Sequence, residues 1–258
     1  MFASLTVVVL AVLTILFLRW REAREIPKTE TIPAGTEQIV YPAPAAPYPE
    51  PSTTNESAPA PRVAEVKTTA KPAKVLLGVP FTSQAPKSVW DALHEDACEE
   101  ASLIMAHRYI DGTEIESIDS ADQEINDLIK FEESKGLGTS ITLEELNNIA
   151  KEYYGMNSGQ IVPNVTSDIL KDQLAESKVI ILPAAGKLLN NPNFKNGGPN
   201  YHMLVVKGFE NGNFITNDPG TRKGEGYQYT PETLIDALHD WNPDNILNGE
   251  KNILVFAK

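Results

Sequence analysis

Hydrophobic residues divide the chain into three stretches of different character. From Phe2 to Leu18 it is uncharged and rich in Val and Leu, and Arg19, Trp20, Arg21 and Arg24 follow at once. A helix of that length spans about 26 Å, near the lower limit for crossing a bilayer. The start MFASL carries no Lys or Arg, and LRWREAREIP holds no A-x-A pattern. Residues 1–25 therefore read as an uncleaved membrane anchor rather than a signal peptide. Residues 26–74 are rich in Pro, Ala, Thr and Glu (YPAPAAPYPEP, SAPAPR) with almost no large aliphatics. Such a stretch cannot bury a core and reads as an extended tether. Periodic patterning begins at about Val75 and runs to Lys258, which makes residues 75–258 the folded domain.

Within that domain the first half has helical periodicity. LIMAHRYI, after Cys98, is apolar nearly all round, the mark of a buried helix, and Gly112 is a natural stop. Asp119 or Ser120 is placed to cap a second helix with Ile125, Leu128 and Ile129 on one face. Thr142 and Glu145 form a capping-box pattern ahead of Leu146 and Ile149, and Ser167 precedes another helical run. The second half alternates instead: VIILP from Val179, MLVVKGF from Met203, NFITN from Asn213 and NILVFA near the end. Glu210, Asn211 and Gly212 join two of these as a hairpin, and Thr230 with Pro231 opens a late helix. Helices first and an antiparallel sheet afterwards give an α+β domain.

Composition removes several functions. The net charge of -13 argues against nucleic acid as a partner, because phosphate binding needs clustered Lys and Arg. A single cysteine, Cys98, rules out an intramolecular disulfide and a Cys-rich zinc site. No H-E-x-x-H, calcium loop or phosphate-binding glycine loop occurs, so neither a metal nor another cofactor is implied.

A lone cysteine is ordinarily a small core hydrophobe, but Cys98 stands where a loop gives way to a buried helix. There the positive end of the helix dipole favours the thiolate, although Glu99 and Glu100 oppose it locally. Four histidines are available. His107, nine residues on, falls on the opposite helix face; His94 lies in the preceding loop without a visible orienting partner; His239, near Trp241, reads as a packing residue. His202 follows the GGPNY loop and opens a buried strand, so its ring can point into a cleft. Asp218 ends the partner strand of the same hairpin, where its carboxylate can fix the imidazole tautomer; Asn217 is its neighbour and competitor. Gln84 offers a side-chain amide to a developing oxyanion.

VPFTSQAP, a following Trp, DACEEASLIMAHRYIDG, YHMLVVKGF and ITNDPGTRKGEGYQY together resemble the stand-alone relatives of bacterial double-glycine leader peptidases. These are papain-like cysteine peptidases related to those that process bacteriocin precursors, and the resemblance runs from about Val79 to Trp241. It implies a papain-like fold with Cys98 as nucleophile, His202 as base, Asp218 as orienter and Gln84 as oxyanion donor. Gln84 lies farther from the cysteine than its counterpart does in the transporter-fused peptidases. Peptide or cell-wall peptide is the implied substrate, and an inactive binding module on the same fold is the alternative. By the positive-inside rule the arginines after the anchor point the domain inward. The Pro-rich stalk suits a bacterial hydrolase outside the membrane, and an extracytoplasmic domain is the expectation.

Overall fold

The run after Cys98 becomes helix α1 (Cys98–Asp111), buried over most of its circumference in the computed structural model, which describes residues 71–258. The membrane anchor expected over residues 1–25 and nearly all of the tether expected over residues 26–74 lie outside the described residues. Among the described residues no helix is long and apolar enough to cross a membrane. Leu103, Ile104 and Met105 on α1 are fully buried, and each such side chain contributes about 1.5–3 kcal/mol over exposure. Gly112 stops the helix at φ 69°, left-handed backbone that costs a Cβ-bearing residue more than glycine.

Two amphipathic helices cover α1: α2 (Ile118–Ser134) and α3 (Leu143–Tyr154). The expected capping box of Thr142 and Glu145 opens α3. The cap of α2 is Ser117, not Asp119 or Ser120. Ser117 has the extended backbone a cap requires, and Ser120 sits three residues on and returns the bond. Helix α4 (Ser167–Ala175) is likewise capped one residue early, by Thr166.

The sheet is antiparallel and seven-stranded. Its strands are β1 (Val75–Leu76), β2 (Gln160–Val162), β3 (Val179–Ala185), β4 (Tyr201–Glu210), β5 (Asn213–Asn217), β6 (Glu225–Tyr229) and β7 (Ile253–Phe256). The order is β2-β7-β3-β4-β5-β6, and β1 pairs with the far end of β4. Strand β4 begins at Tyr201, two residues earlier than the alternation indicated, so His202 lies inside the strand. Strands β1, β2 and β6 were not anticipated; they are short, and EGYQY in β6 reads as polar. Asn211 and Gly212, both with positive φ, make the tight turn between β4 and β5. Helix α5 (Pro231–Ala237) follows β6 with Thr230 as its cap and Pro231 in its first turn. The domain is α+β: a helical first half packs α1 onto the centre of an antiparallel sheet, against β3 and β4.

Candidate active site

The β4–β5 hairpin brings His202 and Asp218 to the same end of the sheet. The imidazole Nε2 lies 2.8 Å from Asp218 Oδ1, with both side chains essentially inaccessible to solvent. Three further donors converge on that carboxylate: the Gly220 N–H on Oδ1 at 3.0 Å, and the Tyr229 hydroxyl and the Asn191 amide on Oδ2 at 2.6 and 3.2 Å. Burial pushes the Asp218 carboxyl up, but His202 together with Tyr229 and Gly220 outweighs it and holds the group below its ordinary range. With Nε2–H donated to Asp218, the lone pair of the neutral ring is on Nδ1, which is buried without a partner. Phe194 packs edge-on to the imidazole at 5.2 Å. Gly220 must lack a side chain: a Cβ there would sit 2.8 Å from His202 Cε1 and from Phe194 Cε1.

Cys98 is the first residue of α1, and Ala97 before it provides no side-chain cap, whereas every other α-helix among the described residues has one. The start of α1 therefore lacks the acceptor that a capping side chain would supply. Cys98 lies beside Met203, the residue after His202, on a stretch of β4 that β5 no longer borders, and the Met203 N–H acts to lower the thiol pKa. The thiol is 2.8 Å from Glu99 Oε2, and this is its side-chain partner rather than His202. Burial, the Glu99 charge and the bond to Glu99 push the Cys98 thiol well up, opposite to the thiolate expected from the dipole and a nearby imidazolium.

Gln84 lies under 5% exposed in the wall of the same cleft as His202. Its amide donates both hydrogens to backbone carbonyls, those of His94 and Glu95, each at 2.9 Å. The residue thus ties down the loop leading to Cys98, and its Oε1 is buried without a partner.

Of the other residues weighed from sequence, Asn217 is committed elsewhere. Its Nδ2 donates to Val79 O and Pro80 O, and its Oδ1 accepts from Gly226 N, so it pins the segment that follows β1. His107 stacks on Tyr154 at 3.9 Å, away from the site, and His239 is buried against Ala237 O. His94 does have orienting partners, which the sequence did not reveal: Asp91 Oδ1 at 2.8 Å from Nδ1, and Asp122 Oδ1 on α2 at 3.2 Å from Nε2. The second contact is close enough for an ion pair but is not aligned as a hydrogen bond. Sequence reading also missed Asn191, Tyr229 and Phe194, and it did not foresee the contact of Glu99 with the sulfur. Tyr229 lies in a quoted motif, EGYQY, but nothing in Asn191 or Phe194 sets them apart in sequence.

A cleft of about 710 Å³ opens over His202, with Gln84, Trp90, Phe194 and Gly220 in its lining. Cys98 is not part of its lining as the side chains stand. Among the described residues no group of His, Cys, Asp or Glu is arranged to hold a metal ion.

Residues 76–244 match the model of the peptidase C39-like family. No curated protein matches. A crystal structure from Bacillus anthracis, whose assignment as a C39-like peptidase is itself provisional, matches over 72% of this chain and 98% of its own at 15% identity, with a TM-score of 0.49.

Proposed function

The chain belongs to the C39-like peptidase family, and from that footing we propose that it is a cysteine peptidase working through Cys98, His202 and Asp218. Family membership speaks for a cysteine peptidase. The observation that carries the finer assignment is the buried His202–Asp218 pair at 2.8 Å, with Nδ1 left unpartnered and Cys98 beside Met203, the next residue on β4. Asp218 fixes the tautomer in which Nδ1 is the base. The Cys98 side chain turns from Glu99 toward that nitrogen, gives up its proton to it and attacks the peptide carbonyl. His202 returns the proton to the leaving amine, and water then releases the acyl group from sulfur with His202 again as base. The Cys98 backbone N–H, at an uncapped helix start, is one donor to the oxyanion. Gln84 supplies a second once it releases one of its two carbonyl acceptors.

An extended peptide fits a cleft of this size. Its walls carry both signs of charge, Glu95 and Asp96 facing Lys195, Arg222 and Lys223, and a peptide backbone with flanking polar side chains suits such a surface. We assign residues 1–25 to a membrane anchor and residues 26–74 to a tether holding this domain outside the cytoplasm. Protease added to intact cells would digest the domain if that orientation holds and spare it if the arginines keep it inside. The catalytic assignment is tested with a peptide library and cell-wall fragments offered to the parent and to Cys98→Ala. Peptide cleavage by the parent alone is expected; cleavage that survives in the alanine variant would remove Cys98 as nucleophile.

A further inference from the structure

The side chain that touches the Cys98 sulfur is that of Glu99. Its Oε2 is 2.8 Å from the Cys98 sulfur, and the side chain is 2% exposed. With two other buried carboxyls it forms a cluster apart from Asp218: Glu100 follows it on α1 and Glu132 reaches in from α2. One oxygen of each is buried without a hydrogen-bond partner, and none makes an ion pair among the described residues. The other titratable groups around Glu99 carry no compensating cation. Tyr201 lies near it on β4, Asp240 stands behind Tyr201, Asp96 adjoins Glu100, and Glu145 on α3 lies near Glu132.

We propose that Glu99 is a proton gate on the nucleophile, blocking the thiolate when ionised and supporting it when protonated. The proposal rests on Cys98 being the nucleophile. The 2.8 Å contact admits two proton arrangements. With Glu99 ionised, the thiol donates to the carboxylate, and a thiolate beside that charge is disfavoured. With Glu99 protonated, its O–H donates to sulfur; the S–H bond then breaks, its proton forms an N–H bond on His202 Nδ1, and the thiolate keeps the electron pair. Desolvation, then the charge of Glu100, pushes the Glu99 carboxyl up to about 8, so the exchange falls near neutrality. A glutamine at this position is always a donor and never a charge.

The test needs no substrate, because the chain has one cysteine and a thiol label reports Cys98 alone. Iodoacetamide labelling of the full chain is followed by mass spectrometry from pH 5 to 9. The parent should lose about tenfold in labelling rate between pH 7 and 9 as Glu99 ionises, and Glu99→Gln should not. Glu100→Gln, which relieves the repulsion on Glu99, should move the parent's fall to lower pH while circular dichroism shows the fold retained; it serves alone if Glu99→Gln does not fold. Superimposable profiles for the parent and the folded variants would overturn the gate. That failure is separate from failure of the nucleophile assignment, which would show as peptide cleavage by Cys98→Ala.

Discussion

Replacing Asp218 by Asn keeps the shape of the side chain and removes one acceptor, and the surroundings make that change costly. All four contacts to the carboxylate come from donors: His202 Nε2–H and Gly220 N–H on one oxygen, Tyr229 O–H and Asn191 N–H on the other. Asparagine offers a single oxygen. If it faces His202, its amide meets the Tyr229 and Asn191 donors. Tyr229 can turn to accept, but Asn191 loses a partner. If the oxygen faces Tyr229, the amide meets Nε2–H and forces the ring to its other tautomer, in which Nδ1 carries hydrogen and cannot accept the thiol proton. One or two buried donors are stranded either way, each costing about 1–3 kcal/mol. We expect Asp218→Asn to lose roughly 2–4 kcal/mol in urea unfolding at pH 7 and most of its turnover. The sign with pH follows from the depressed Asp218 carboxyl. Its contribution is fully present above the ordinary carboxylate value of about 3.9 and is lost as pH falls through the lower folded value. The gap between parent and variant should therefore shrink only under acid conditions. A variant with the parent's urea midpoint at pH 7 would refute the reasoning.

Gly220→Ala should abolish peptide cleavage with only a small change in melting temperature, because its Cβ would drive into the His202 ring 2.8 Å away; full activity would show that the ring has room. Glu132 is pushed up to about 10, first by burial and then by Glu100, so its burial favours the folded state most below about pH 4.3 and progressively less as pH rises toward 10. Glu132→Gln should therefore unfold at higher urea than the parent at pH 9, with the difference narrowing near pH 5; equal midpoints at pH 9 would count against the buried cluster. Residues 75–258 expressed alone should be soluble and cleave the same peptides as the full chain, and an insoluble product would move the boundary.

The fold class was legible because the apolar period changes from helical to alternating partway along the domain. Helix α1 was readable from its all-round apolarity, and α3 from the Thr142–Glu145 capping box. Short strands such as β2 and β6 were not readable, since their formation depends on the neighbours they pair with rather than on their own residues. The His202–Asp218 pair followed from hairpin topology, which forces two strand ends together whatever the register. The Asn191 and Tyr229 support did not, because it depends on a loop that brings in Asn191 and on Tyr229 of the unanticipated strand β6. Glu99 was noticed only as a charge working against a thiolate. That its carboxylate would reach the sulfur depended on its rotamer, and sequence carries no such information.

Turnover by Cys98 requires that His202 govern its chemistry. The direct measurement is the iodoacetamide labelling rate at pH 6 for the parent and for His202→Ala, with circular dichroism confirming both folds. An unassisted thiol of ordinary pKa is only about 0.3% ionised at that pH. A parent that labels at least about tenfold faster than the His202 variant is the result predicted for a thiol whose proton can pass to Nδ1. Equal rates in two folded proteins would contradict it and leave Cys98 a structural thiol at the start of a buried helix.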